Sequence, residues 1–381
     1  MNFNKRRSGV LACAVLIAIP VRAQSPNGIE SQLREIARTH PDSFDANYQI
    51  AEYYFHSGKL RDGIPYMEKA QSLDPSNYVS GYDLALAYFE VHDYPKARQQ
   101  IEVMLSRRDS AELHSLLADV EEATGNYVRA AEQYQQASRM DPTEDRIFDW
   151  GTELLAHSAW DAAIEVFSRG VALHPESAKL NLGLGVALYS HHDYEGAVKA
   201  LCAAADLQPS QSWPYVFLGK LYNIASGVQA GEVRKRLAHF VQIQPANAEA
   251  FYYYALSLWN RDENSDANLA QVESLLNKAV TLNAQFADAH LQLGILYADE
   301  RKYADAIREL QKATTLQPNS ATAHYHLAQA YMRTGEKPNA QQELQAFERL
   351  RKQEQAETEK QRQQLTQLIV SLRQQEAAAS R

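Results

Sequence analysis

Short motifs that close on a proline punctuate this chain at nearly constant intervals, and that spacing limits its fold more than any other feature. They are "THPDS" at Pro41, "LDPSN" at Pro75, "MDPTE" at Pro142, "LHPES" at Pro175, "LQPSQ" at Pro209, "IQPAN" at Pro245 and "LQPNS" at Pro318. Pro41 to Pro75 is 34 residues, and Pro75 to Pro142 is 67, or two periods. The next steps are 33, 34 and 36; Pro245 to the equivalent Ala284 is 39, and 34 more reach Pro318. Self-similarity at a fixed period of this length predicts an array of helix-turn-helix units, each of which buries its apolar face only against its neighbours.

Within each period the same positions recur. In "AHLQLGILYADERKYADAIRELQKATTLQP", residues 289 to 318, Leu293, Gly294 and Tyr297 share one helical face. Tyr303 and Ala306 follow a short polar turn, and Leu310 and Ala313 continue a second amphipathic helix. The same columns hold Leu84, Ala85, Tyr88, Tyr94, Ala97 and Ile101, then Leu184, Gly185, Leu188, Tyr194, Ala197, Leu201 and Ala204. Small residues let paired helices approach, and large ones fill the gap. This small-large pattern with its closing proline resembles the tetratricopeptide repeat family over residues 44 to about 350. The resemblance implies an all-α, right-handed superhelical solenoid of about nine units, starting near Phe44, Tyr78, Ala111, Glu144, Ala178, Ser212, Ala248, Ala287 and Ala321. Residues 24–43, with the helical "IESQLREIARTH", read as an N-terminal capping half repeat. Residues 351–381 hold no Gly or Pro and read as one long polar helix, whose stripe Leu365, Leu368, Ile369 and Leu372 is either a capping contact or a dimer seam.

Lys5, Arg6 and Arg7, an uncharged run from Ser8 to Val21, and small residues at Val21 and Ala23 predict a signal peptide, residues 1–23, cleaved after Ala23. That run is 14 residues, against the roughly 20 that span a bilayer as a helix. The expected location is therefore the periplasm, with extracellular or envelope-associated sites as alternatives. Cleavage removes four positive charges (Lys5, Arg6, Arg7, Arg22) and no acid, so the net charge of −9 becomes −13. Residues 348 to 381 hold seven Lys or Arg and five Asp or Glu, which leaves about −15 on the rest. Such a balance argues against nucleic acid or anionic lipid as partner. Cys202 is the one cysteine left after cleavage, so no disulfide forms within the mature chain.

Residues that look chemical fall into the repeat pattern. His192-Asp193-Tyr194 occupies the turn that is His92-Asp93-Tyr94 in the second unit and Gly125-Asn126-Tyr127 in the third. Gly, Asn and His all suit a left-handed backbone at a helix end. Cys202 shares its column with Glu68, Glu102, Gln135, Ser168, Ala238, Asn277, Gln311 and Gln345. That column is mostly polar, so Cys202 is expected to be an exposed thiol. At 1.5 Å per residue it lies on the order of 12 Å from His192, too far to share a zinc ion. Gly183 and Gly185 fall inside a helix with no strand before them, so they form no phosphate loop. The chain reads as a protein without catalysis, metal or cofactor.

In the family the chain resembles, positions two, five, nine, twelve and thirteen of each first helix line a concave groove. Carried onto this sequence, they give candidate partner-binding residues Tyr48, Glu52, Phe55, Tyr82, Phe89, Asp119, Glu122, Phe148, Tyr189, Trp213, Tyr252 and Trp259. Aromatic rings bury much area per rotatable bond, and carboxylates favour a cationic partner. The expected function is a scaffold or assembly factor, monomeric or weakly dimeric, that holds protein segments carrying Lys or Arg beside apolar residues. The alternative is a structural subunit of an envelope complex that self-associates through its C-terminal helix. The family's clamp for a C-terminal carboxylate needs Lys and Asn where Tyr48, Glu52 and Leu86 stand, so that mode is not expected. Lengthened turns in "NIASGVQAGEV" and "NRDENSDANLAQVE" flag a second candidate surface beside Trp213, Tyr252 and Trp259.

Overall fold

The recurring prolines announce helix caps. After Pro41, Pro75, Pro142, Pro175 and Pro318 the chain places Ser43, Asn77, Thr143, Ser177 and Ser320, and each side chain accepts a hydrogen bond from a backbone N–H in the first turn that follows. Asn247 does the same after Pro245, and Ser110 opens the third unit without a proline. Such a cap satisfies one of the four orphan N–H groups of a helix and is worth about 1 kcal/mol.

The computed structural model describes residues 26–222, 228–259, 266–353 and 356, and every regular element among them is a helix. The expected signal peptide, the centres of both lengthened turns and the Leu365 to Leu372 stripe lie outside the described residues. The chain divides into two compact units, Met1–Asp193 and Tyr194–Arg381. Unit 1 contains α1 (Pro26–Thr39), α2 (Phe44–His56), α3 (Leu60–Leu73), α4 (Tyr78–Glu90), α5 (Tyr94–Leu105), α6 (Ala111–Ala123), α7 (Tyr127–Met140), α8 (Glu144–Ala156), α9 (Trp160–Leu173) and α10 (Ala178–Ser190). Unit 2 contains α11 (Tyr194–Leu207), α12 (Trp213–Leu221), α13 (Val228–Ile243), α14 (Ala248–Leu258), α15 (Asp266–Leu282), α16 (Ala287–Asp299), α17 (Tyr303–Leu316), α18 (Ala321–Thr334) and α19 (337–353).

Short turns reverse the chain between the two helices of a repeat. Gly58, His92, Gly125, Ser158, His192 and Arg301 all sit at positive φ, between 59° and 80°. His192 is thus a left-handed turn residue, equivalent to His92 and Gly125. Each unit then buries one large side chain of the second helix against small residues of the first. Met67, Ile101 and Phe167 are fully buried in this way in unit 1, where Ala51, Ala85 and Gly151 leave room. In unit 2 the Tyr215 ring stacks on Phe240 at 4.3 Å and 4°. Helix α1 covers the start of unit 1 through Leu33 and Ala37, which pack on Ile50 and Tyr54. Its Glu30 accepts from Tyr54 Oη at 3.2 Å and Lys59 Nζ at 3.0 Å.

One expectation is corrected. Cys202 is buried, at 8% exposure, and burial pushes its thiol up to about 11. Its column is divided: Glu102, Ser168, Gln311 and Gln345 are exposed, Glu68, Gln135, Ala238 and Asn277 are half-buried, and Cys202 is its buried member. Glu68 accepts from the Tyr88 hydroxyl, while Asn277 and Gln311 donate to Tyr297 and Tyr331 at 3.4 and 2.7 Å. At these three positions the polar side chain forms a hydrogen bond to the next repeat. At pH 8 the Cys202 thiolate is scarce, so native protein should react with a disulfide reagent on the order of a hundredfold more slowly than denatured protein. Equal rates in a stopped-flow thiol assay would contradict the burial.

Candidate functional site

The expected groove residues of unit 1 sit on α2, α4, α6, α8 and α10. The Tyr48 ring stacks on Phe44 at 5.5 Å, and its hydroxyl donates to Asp83 Oδ2 at 3.3 Å, joining the first repeat to the second. Glu52 Oε2 lies 3.6 Å from His56 Nε2. Phe55 and Tyr82 are core residues, at 2% and 6% exposure, because small neighbours in the packed helices admit their rings. They offer a partner little surface. Phe89 is half-buried with its ring 5.8 Å from Tyr94, and Tyr189 is half-buried on α10.

Asp119 and Glu122, one turn apart on α6, converge. Tyr134 on α7 donates its hydroxyl to Asp119 Oδ1 at 2.6 Å and lies 3.3 Å from Glu122 Oε2. Burial, then the negative charge of Asp119, Glu122 and Asp149, hold the Tyr134 phenol far above its ordinary range. Glu153 on α8 is 97% buried by side chain, and its carboxyl is pushed up to about 7, first by burial and then by Glu122 and Asp119. The same helix carries Phe148, 6.0 Å from Phe167, with Lys179 Nζ poised 4.5 Å over its face and 2.5 Å from Asp145. A lysine held by one ring and one carboxylate is thus already part of this surface.

Tyr134, Asp149 and Glu153 escaped the sequence reading. Asp149 and Glu153 stand at positions six and ten of their helix, outside the expected groove columns. A signal was present: Glu153 occupies a column whose counterparts are Tyr53, Ala87, Val120, Ala187, Leu221, Ser257, Leu296 and Ala330, and it is the one charged residue there.

In unit 2 the expected residues behave differently from one another. Trp213 is 63% exposed at the start of α12. Tyr252 is buried, edge-on to Tyr253 at 5.1 Å and tilted on Phe286 at 4.9 Å, and Trp259 is half-buried where it caps α14. Among the described residues, no group of three or more His, Cys, Asp or Glu could hold a metal ion, and no helix is long and apolar enough to cross a membrane.

Models of the tetratricopeptide repeat match residues 44–77, 82–145 and 148–212, and a TPR repeat model matches 297–335, together just over half of the chain. The chain belongs to the tetratricopeptide repeat family. It is 21% identical over 306 residues to BBSome complex member BBS4 of Bos taurus, an alignment that covers 71% of this chain and 58% of that protein. It is 22% identical over 277 residues to the TPR repeat-containing protein YpiA of Bacillus subtilis (strain 168), covering 72% of this chain and 64% of YpiA. The chain therefore spans about three fifths of the length of these relatives. Among solved structures, it is similar to the C-terminal part of a TPR repeat-containing protein from Cytophaga hutchinsonii, with TM-score 0.49, 16% identity, and coverage of 74% of this chain and 99% of that one.

Proposed function

We propose that this tetratricopeptide repeat protein is a scaffold that holds segments of other proteins on the first-helix face of unit 1, and that it selects segments carrying Lys or Arg beside apolar side chains. The family is generally a non-catalytic protein-interaction fold, which supports the coarser half of this reading. The observation that carries the finer half is that Asp119 and Glu122 of α6 converge on the Tyr134 hydroxyl and act electrostatically on Glu153 of α8, the helix that also carries the half-buried Phe148 ring. Carboxylates gathered on a surface attract cations and repel acidic partners, while an adjoining ring supplies apolar area. We propose further that it acts outside the cytoplasm after loss of residues 1–23, on the strength of the signal-peptide pattern in the sequence, and an intact mass that begins at Gln24 is the readout. Affinity capture from the native compartment, comparing wild type with the triple variant Glu52→Lys, Asp119→Lys, Glu122→Lys, tests the groove: the variant is expected to lose the captured partners.

A further inference from the structure

We infer that Asp119, Glu122, Tyr134 and Glu153 form a pocket for a single lysine or arginine side chain of the bound segment. This inference rests on the scaffold reading and specifies what one part of the face recognises.

The argument starts from a buried charge site that the protein leaves incomplete. Glu153 is almost wholly buried, yet its Oε1 makes no hydrogen bond. His157 Nε2 lies 3.3 Å from that oxygen, one turn along α8, but outside the direction of a hydrogen bond, and its ring rests on Tyr127 at 4.0 Å. Leaving a buried carboxyl unsatisfied costs free energy that a completed site recovers. Glu153 also feels the charge of Glu122 and Asp119, whose carboxylates meet at the Tyr134 hydroxyl. Among the described residues, neither Glu122 nor Glu153 has a Lys or Arg partner. Other acids of this unit do have one: Glu121 binds Arg98 and Arg129, and Glu112 binds Arg146.

The chemistry of the missing group follows. It is cationic, because Asp119 and Glu122 meet at one hydroxyl and, after burial itself, their charge helps push the Glu153 carboxyl up to about 7. Among the described residues, no three His, Cys, Asp or Glu side chains stand close enough together to hold a metal ion. An ammonium or guanidinium, with several N–H donors on a long apolar stem, can reach spread carboxylates and lie along neighbouring rings. Lys179, seated between Asp145 and Phe148 on the same helix, shows that mode within the chain.

The test uses the full chain and two labelled, amidated nonapeptides of Leu, Ser and Gly, one with a central Lys and one with norleucine in its place. For wild type, replacing Lys by norleucine is expected to weaken Kd about tenfold, the value of a hydrogen bond to a charged group. In Glu153→Gln the two peptides should bind within about twofold of each other, and Glu122→Gln, an exposed site that does not threaten folding, should show the same loss of discrimination. If wild type binds both peptides equally, or if both variants keep the tenfold preference, the pocket is wrong while the scaffold reading stands. If neither peptide binds wild type at millimolar concentration, both fail.

Discussion

Phe167→Ala is expected to destabilise unit 1 by about 3–5 kcal/mol, the range for deleting a fully buried aromatic side chain. Phe167 is 0% exposed on α9 and fills a gap that two glycines create. A Cβ added at Gly151 on α8 would lie 2.4 Å from Phe167 Cζ, and one at Gly183 on α10 would lie 2.4 Å from its Cε1. The equivalent pairs elsewhere are Ala51 with Met67 and Ala85 with Ile101, so this repeat trades a methyl group on the first helix for a ring on the second. The exchange makes a second, compensating outcome. Gly151→Ala alone should cost about 1–3 kcal/mol through overpacking, and Gly151→Ala combined with Phe167→Leu should recover part of it. Because repeat arrays are stabilised mainly by nearest neighbours, amide exchange in α8 to α10 should accelerate first. A denaturation midpoint for Phe167→Ala equal to that of wild type would overturn this packing account.

Glu121→Ala is the second large expectation, at about 2–4 kcal/mol. Glu121 is fully buried and accepts from Arg98 through two bonds of 2.9 and 2.7 Å, from Asn126 at 2.8 Å, and lies 3.3 Å from Arg129. It ties α5 and α7 to α6, and its loss strands the Arg98 guanidinium in a site built for a carboxylate. The Arg98 side chain keeps 29% exposure, which is why the expected loss falls short of a wholly buried pair. Urea unfolding of the variant gives the number, and a change below about 0.5 kcal/mol would show the cluster to be neutral.

The fold was legible because period and packing obey the same rule: all the recurring prolines but Pro209 precede a side-chain cap, and Ala51, Ala85 and Gly151 on first helices face Met67, Ile101 and Phe167 on second helices. What misled was the column of Cys202, whose exposed members Glu102, Ser168, Gln311 and Gln345 give no sign that Cys202 itself is buried. Glu68, Asn277 and Gln311 are polar because Tyr88, Tyr297 and Tyr331 of the following repeat stand opposite them. The correlation between a polar residue late in one unit and a tyrosine early in the next was there to be read. The candidate site was less legible. Groove columns selected Asp119 and Glu122, but they also selected Phe55, Tyr82 and Tyr252, which the packing consumes. They passed over Tyr134 and Glu153, because a residue's place in one helix does not say which neighbouring charge it will meet.

The central claim is that the acidic first-helix face of unit 1 holds the partner. Capture by the full chain, with Glu52, Asp119 and Glu122 reversed to Lys, measures that claim most directly, provided the variant keeps the wild-type helical signal and unfolding midpoint. The account predicts that partners retained by wild type disappear from the variant, and that their bound segments carry Lys or Arg beside apolar residues. Recovery of the same partners at the same yield would contradict it.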